Sequence, residues 1–194
     1  MKQTEQDIAR QLRARSGLIA ALDGETIAKV AAVAGAMVEC LQRGCVIYAC
    51  GNGGSATQAA HFAAELVGRY KLDRRSLPAF SLGENSAVLT SLANDYSFED
   101  VFAHQIAGVG QPGDCLLALS TSGTSANVVR ACRVAAEKGL HTFALTGEGG
   151  GEMIRHCDIT IAVPTADTPL VQELHLAILH ILCYLVEAAI FPAR

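Results

Sequence analysis

Short apolar segments alternate with longer helical ones along this chain, and this alternation restricts the fold more than any other feature of the sequence. The segments that we expect to form strands are 45–50, 78–82, 115–119, 141–145 and 158–163. The first, CVIYAC, is apolar without interruption, which is typical of a strand buried on both faces. Strands that alternate with helices form a parallel sheet covered by helices. We therefore predict an α/β fold, a three-layer sandwich around a five-stranded parallel sheet.

The spacing of apolar residues predicts the helices and the division of the chain. Helices are expected at 3–22, 25–43, 56–69, 85–93, 98–108 and 125–138. A last helix begins near Thr168, a suitable N-cap, with Pro169 in its first turn. A length of 194 residues fits one domain, with two N-terminal helices in 1–44 and the sheet core and C-terminal helix in 45–194. We expect the N-terminal helices to lie in an oligomer interface.

Charge and cysteine content exclude several classes of protein. The net charge is −4 and there is no basic block, which argues against a nucleic-acid partner. Seven scattered cysteines form no CxxC pair, and an odd, dispersed set indicates reduced thiols in the cytosol. The first 17 residues are polar and charged, unlike a signal peptide. We expect a cytoplasmic protein.

The C-terminal run 170–191 (LVQELHLAILHILCYLVEAAIF) is long and almost wholly apolar. Five polar residues interrupt it: Gln172, Glu173, His175, His180 and Glu187. These interruptions argue against a membrane span, and a helix that is apolar on most faces is typical of one buried in an oligomer.

A glycine-rich loop, 51–55 (GNGGS), follows the first predicted strand. Its small residues let main-chain amides approach a ligand, and the start of the next helix favours an anion. The loop also fits the glycine pattern of a dinucleotide site. That hypothesis is weak because the acidic residue after the second strand, Glu84, comes about a dozen residues later than the roughly 20-residue spacing expected. A tight structural turn remains the alternative.

A second loop, 120–125 (STSGTS), follows the third strand and carries five hydroxyls around one glycine. Hydroxyls and amides at a helix N-terminus bind phosphate without a fixed positive charge. The lysine of a P-loop is missing, which argues against nucleoside triphosphate chemistry. Ordinary capping by Ser125 is the alternative, but it requires only one or two hydroxyls.

Two pairs of polar residues lie on predicted helices. His61 and Glu65 share one helix face, where they suit a zinc site, an acid–base pair or a surface ion pair. Gln172 and His180 are roughly 80° apart around an ideal helix. Glu173 lies closer still to His180 in azimuth, so periodicity leaves Gln172 and Glu173 as alternatives. A site shared by the two pairs would avoid burying polar groups without partners.

Several segments resemble the phosphoheptose isomerase (sedoheptulose 7-phosphate isomerase) family of the sugar isomerase, or SIS, domain superfamily. They are GNGGS, HFAAEL, NDYSFEDVF, STSGTSANV, LTGEGGG and QELHLAILH, and they extend over nearly the whole chain in the family's order. The resemblance implies a homotetramer with sites at subunit interfaces and one zinc ion per subunit. The chain departs from the family pattern at Leu170, where many members carry Arg.

The resemblance also implies roles for particular residues. Catalysis is expected from Glu65 as the base and His180 as the acid. The implied zinc ligands are His61, Glu65, Gln172 and His180. The implied substrate-binding residues are Asn52, Gly53, Gly54, Glu65, Asn94, Asp95, Ser120, Thr121, Ser122, Ser125 and Gln172, of which Ser120, Thr121, Ser122 and Ser125 would hold the phosphate.

The expected activity is that of an aldose–ketose isomerase converting sedoheptulose 7-phosphate to D-glycero-D-manno-heptose 7-phosphate, the first step of nucleotide-heptose biosynthesis. Such a reaction needs a base for the C–H proton and stabilisation of an enediolate. The two roles of Glu65 compete, because a carboxylate bound to zinc is a poor free base. The alternatives are a non-catalytic SIS protein that binds a sugar phosphate and a protein partner such as the replication initiator, a sugar-phosphate sensor, and an isomerase of another phosphosugar. Retention of both Glu65 and His180 favours an enzyme.

Overall fold

The computed structural model of the chain describes residues 2–192, which form two long helices followed by alternating strands and helices. The two helices are α1 (Lys2–Ala20) and α2 (Gly24–Gln42). The remaining elements are β1 (Ile47–Gly51), α3 (Gly54–Val67), β2 (Ala79–Ser81), α4 (Ser86–Asp95), α5 (Val101–Val109), β3 (Cys115–Ser120), α6 (Ala126–Glu137), β4 (His141–Thr146), β5 (Ile159–Ala162) and α7 (Thr168–Ile190). Short 3-10 helices cover Phe98–Asp100 and Glu152–Arg155.

The five strands form one parallel sheet in the order β2-β1-β3-β4-β5, which confirms the predicted sheet. The chain proceeds outward from β1 to β2 and then returns to β3 on the other side of β1. This reversal is the point at which open α/β sheets bind ligands, outside the carboxyl ends of the strands. Gly51 pairs with Leu119, so the loops after β1 and β3 leave the sheet side by side.

Helices cover both faces of the sheet and give the predicted three layers. One core forms where α2, α3 and α7 pack on the sheet, with Met37, Phe62 and Leu179 fully buried. The other lies under α5 and α6 and includes Ile106 and Val128. The two helices of the predicted polar pairs, α3 and α7, therefore pack on the same face of the sheet.

Most predicted boundaries shift by one to three residues, and two of these shifts change the assignment of a named residue. β1 begins at Ile47 rather than Cys45, because the Cys45 N–H donates back to the Cys40 carbonyl at 3.0 Å. The N-cap of α7 is Asp167 rather than Thr168, which already belongs to the helix. Pro169 occupies the first turn as predicted.

Helix α7 is long and apolar enough to cross a membrane by length and composition alone. Within this chain, 44% of its most apolar 18-residue stretch is buried. Its buried residues include His175 and Glu187, and the rest of that face packs on α2 and α3. Helix α7 therefore packs one face on the core of this chain and leaves apolar side chains such as Ile181 and Tyr184 exposed on the other.

Candidate active site

The first loop turns from β1 into α3 through Asn52 and Gly53. Gly53 has a φ of +53°, a left-handed conformation that glycine adopts without steric cost. At the next position, a methyl group added to Gly54 would lie 2.6 Å from the Gln172 Nε2 atom. The missing side chain thus lets the loop touch α7, and it places the Gln172 amide beside the start of α3.

The second loop turns its hydroxyls toward one another rather than toward the helix. Ser125 is the N-cap residue of α6, yet within the described chain its hydroxyl makes no capping hydrogen bond. It lies instead 3.0 Å from the Ser120 Oγ atom. Ordinary capping therefore does not explain Ser125. The Ser122 Oγ atom lies 3.4 Å from the Ser120 Oγ atom and accepts hydrogen bonds from the Thr124 amide and hydroxyl at 3.2 and 3.0 Å.

The two loops and the start of α7 enclose a cleft of about 280 Å³, which we call the hydroxyl cleft. Its lining residues are Asn52, Gly53, Gly54, Ser55, Leu119, Ser120, Thr121, Ser125, Thr168 and Gln172. Five of these carry hydroxyls, and among residues 2–192 no Lys or Arg lines the cleft. The N-terminal ends of α3 and α6 supply positive partial charge there. This combination suits a phosphate group.

A second cleft, of about 270 Å³, lies further along α3 and α7, and we call it the histidine cleft. It is lined by Thr57, Gln58, His61, Leu176 and His180. The His61 and His180 Nε2 atoms face each other at 2.9 Å. The Glu65 Oε1 atom is 3.6 Å from the same His61 nitrogen. Three titratable groups from two helices therefore meet around one imidazole nitrogen.

Gln58 joins the two clefts. It lines the histidine cleft and donates from Nε2 to the main-chain carbonyl of Gln172, which lines the hydroxyl cleft, at 2.6 Å. Its Oε1 atom is buried, without a hydrogen-bond partner in the described chain. The two clefts are thus neighbours along α3 and α7.

The structure brings most of the sequence-predicted residues to these clefts. Seven line the hydroxyl cleft: Asn52, Gly53, Gly54, Ser120, Thr121, Ser125 and Gln172. His61 and His180 line the histidine cleft with Glu65 beside them, whereas the Gln172 side chain faces the other cleft. Asn94 and Asp95 lie exposed at the end of α4, hydrogen-bonded to each other at 2.8 Å, and line neither cleft.

Sequence reasoning left out Ser55 and Thr168, both of which line the hydroxyl cleft. Ser55 is the last residue of the GNGGS motif, so the motif itself could have indicated that Ser55 lies in the cleft. Thr168 was interpreted as a helix cap, and its exposure to the cleft follows only from where α7 packs.

Zinc-type donors are present, although the predicted ligand set is not assembled. No three His, Cys, Asp or Glu side chains in the described residues stand at metal-ligand spacing. His61 and His180 nevertheless direct two imidazole nitrogens at one point, with the Glu65 carboxylate nearby.

A larger cleft, of about 500 Å³, lies elsewhere, between α2 and β5. Its charged groups already have partners: Lys29 pairs with Glu25 at 2.8 Å, and Asp158 accepts from the Thr142 amide at 2.8 Å. Polar groups do not converge there on an open space, so we place the candidate site at the other two clefts.

Known proteins resemble this chain in sequence and in fold. Residues 12–147 match the SIS domain family model. The phosphoheptose isomerase of Pelobacter propionicus is 45% identical over 185 residues, which are 95% of this chain and 98% of that protein. The solved phosphoheptose isomerase of Francisella tularensis superposes with a TM-score of 0.90 at 32% identity, covering 94% of this chain and 97% of that one. The enzyme of Neisseria gonorrhoeae gives 0.85 at 35% identity, covering 96% and 98%. The chain belongs to the SIS domain family and, within it, to the phosphoheptose isomerases.

Proposed function

We propose that this chain is an aldose–ketose isomerase that converts sedoheptulose 7-phosphate to D-glycero-D-manno-heptose 7-phosphate, at the start of nucleotide-heptose synthesis. One observation carries the proposal: a cleft lined by hydroxyls adjoins a cleft in which two histidines and a glutamate meet. The substrate has the matching form, with a phosphate at one end and the reacting carbons at the other.

The hydroxyl cleft would hold the phosphate. Ser120, Thr121 and Ser125 offer hydroxyl donors, and the N-termini of α3 and α6 favour the negative charge. Hydrogen bonds to a charged acceptor contribute about 1.5–3 kcal/mol each. Binding at this end fixes the sugar, so that its first two carbons lie toward the histidine cleft.

The histidine cleft would carry out the proton transfer between the first two carbons. Glu65 takes the proton from one carbon and returns it to the other, while His180 serves the oxygen side. The Glu65 Oε1 atom lies 3.6 Å from the His61 Nε2 atom, and the His180 Nε2 atom lies 2.9 Å from the same nitrogen. Glu65 and His180 are therefore close to each other. General acid–base catalysis of this kind supplies about 10²–10⁴-fold in rate.

We further propose one zinc ion per subunit, held by His61, Glu65, Gln172 and His180, as an alternative to the use of Glu65 as a free base, since a carboxylate bound to zinc is a poor base. The Gln172 side chain, which faces the hydroxyl cleft, would turn toward the other three when the ion binds. The chemistry of the donors supports a zinc ion, because the two facing imidazole nitrogens are 2.9 Å apart. Two nitrogens bound to one tetrahedral zinc at 2.0–2.1 Å would stand about 3.3 Å apart. A zinc ion there would polarise the substrate carbonyl.

The proposed enzyme is a cytoplasmic homotetramer with sites at subunit interfaces. None of the described residues of α1 is buried, and Ile8, Leu12 and Ile19 are exposed on it. An apolar groove of about 300 Å³ lies between α2 and α7, lined by residues such as Ile27 and Ile181. Covering these surfaces with a second copy would remove apolar area from water. A monomeric mass by light scattering at micromolar concentration contradicts the assembly.

The activity is tested with sedoheptulose 7-phosphate, with and without added Zn²⁺, by following the aldoheptose phosphate by NMR. We expect turnover by the wild-type protein and none by Glu65→Gln or His180→Gln, both of which keep their size and fold. If the wild-type protein binds the sugar phosphate and forms no product with any divalent metal, the chain is a sugar-phosphate-binding protein instead.

A further inference from the structure

A buried ion pair joins the helices that carry the histidine cleft. The side chains of Arg74 and Glu187 are 2% and 3% exposed, and the Arg74 Nε atom is 3.1 Å from the Glu187 Oε1 atom. Arg74 lies in the segment that follows α3, and Glu187 lies on α7, two turns after His180. Neither residue lines either cleft.

Arg74 binds the end of α3. The last carbonyls of a helix have no partner within it and need one elsewhere. Arg74 Nη2 donates to the Glu65 carbonyl at 2.8 Å, and Nη1 donates to the Leu66 and Gly68 carbonyls at 2.7 and 3.1 Å. One guanidinium thus holds the last turn of α3, including the main chain of Glu65.

Glu187 binds the segment that follows. Its carboxylate accepts hydrogen bonds from the main-chain amides of Tyr70, Lys71 and Leu72 at 3.2, 2.9 and 3.0 Å. Burial alone would raise the pKa of Glu187, but these amides and Arg74 outweigh it and lower the pKa below its usual value. The Tyr70 ring lies 5.8 Å from the His180 ring. The ionised carboxylate thereby fixes a residue that packs on His180.

We propose that Arg74 and Glu187 are positioning residues for the isomerisation, forming a clamp that sets α3 against α7 so that Glu65, His61 and His180 meet. This inference rests on the proposed function. Six hydrogen bonds and one ion pair join α3, the segment after it and α7 at this point. Proton transfer depends steeply on geometry, and a displacement of about 1 Å can lower a rate about 100-fold. The hydroxyl cleft lies at the N-terminal ends of α3 and α7, whereas the clamp joins the C-terminal end of α3 to the second half of α7. The clamp therefore acts on the chemical step rather than on phosphate binding.

The test uses Glu187→Gln, which keeps the size of the side chain, and Arg74→Lys, which keeps the charge but loses the planar fork. The matched control is a substitution of Ile106, which is buried on the opposite face of the sheet. Of Ile106→Val and Ile106→Ala, we use the one whose fall in melting temperature equals that of the clamp variants. We expect kcat on sedoheptulose 7-phosphate to fall at least about tenfold in both clamp variants, with KM within about threefold. The control should keep its kcat. A second measurement titrates Zn²⁺ alone into metal-free protein by calorimetry, where about tenfold weaker binding by the clamp variants is expected.

The outcomes separate the clamp from the proposed function. Wild-type protein without isomerase activity contradicts the function itself. Active wild-type protein with clamp variants that match the control in kcat shows that the pair only stabilises the fold, and overturns the clamp. If Glu187→Gln fails to fold, Arg74→Lys decides by the same comparison.

Discussion

Asn52 and Asn127 exchange two hydrogen bonds, each side-chain amide donating to the carbonyl oxygen of the other at 2.8 and 2.9 Å. Asn52 belongs to the loop after β1, and Asn127 lies in the first turn of α6, where it is buried. The pair joins the two loops across the point where the strand order reverses. The shape of the hydroxyl cleft therefore depends on Asn127, a residue that does not line it.

The first prediction is that Asn127→Asp raises KM for sedoheptulose 7-phosphate about tenfold. The carboxylate keeps the size of the side chain but places an oxygen where the Nδ2 donor faced Asn52, and an unsatisfied buried group costs about 1–3 kcal/mol. Steady-state kinetics and thermal melts measure both effects. Asn85→Asp is the control, because Asn85 is the exposed N-cap of α4 and Asp caps equally well. Equal KM values for the two variants would contradict the link between the loops.

The second prediction separates the serines of the STSGTS loop. Ser125→Ala should raise KM roughly 10- to 100-fold, because one hydrogen bond to a charged phosphate contributes about 1.5–3 kcal/mol. Ser122→Ala should change KM much less, since the Ser122 hydroxyl bonds Thr124 and does not line the cleft. Circular dichroism checks that both variants fold. A larger effect at Ser122 than at Ser125 would show that the loop rearranges when the substrate binds.

The third prediction concerns Gly54, where an added methyl group meets the amide end of Gln172 at 2.6 Å. That amide is flexible and can rotate away, so Gly54→Ala should cost little stability and should instead lower kcat/KM at least about tenfold as the amide leaves the cleft wall. Gly35→Ala in α2 is the control, because a methyl group there meets nothing within 4 Å. It should leave activity intact and stabilise the helix by about 0.5–1 kcal/mol. Wild-type kcat/KM in Gly54→Ala would remove Gln172 from the site.

The sheet is predictable from the sequence because its central strands are short uninterrupted apolar runs between helices of clear periodicity. The apolar pattern does not show at which residue strand pairing begins. Cys45 continues the apolar run of β1, but its amide closes the end of α2 instead. That choice depends on a turn at Gly44, whose φ is +79°. Similarly, the cap of α7 moves by one residue because several polar residues stand next to each other there.

The candidate site was partly predictable for the same reason. Loops that follow parallel strands meet at one edge, so the GNGGS and STSGTS motifs had to lie together. Periodicity could not choose between Gln172 and Glu173; packing does, because Glu173 pairs with Arg15 of α1 at 2.7 Å. Arg74 and Glu187 are 113 residues apart in the chain, so no local sequence pattern predicts their ion pair. In the sequence, Glu187 is only an interruption of an apolar run.

His175 is the buried histidine of α7 and faces the core rather than either cleft. Its side chain is fully buried, and neither ring nitrogen has a hydrogen-bond partner of good geometry in the described chain. Burial lowers the pKa of His175 to about 4, and the Thr146 main chain opposes this only weakly. The folded protein therefore holds this imidazole neutral at pH values where the unfolded chain protonates it.

The fourth prediction is that the wild-type protein loses stability as the pH falls from about 6.5 to 4. The substitution His175→Leu should remove this loss. In this window the unfolded chain binds a proton that the folded chain does not, so the free energy of unfolding falls as the pH falls. The full effect is roughly 3 kcal/mol, reached below the folded pKa of about 4. Ionised Glu187 also contributes to the stability of the fold. Because the pKa of Glu187 is lowered in the folded chain, this contribution is fully lost only below the usual pH range of a carboxyl. Urea unfolding at pH 7, 6 and 5 should give a steeper decline for the wild-type protein than for His175→Leu. Parallel declines would contradict the lowered pKa of His175.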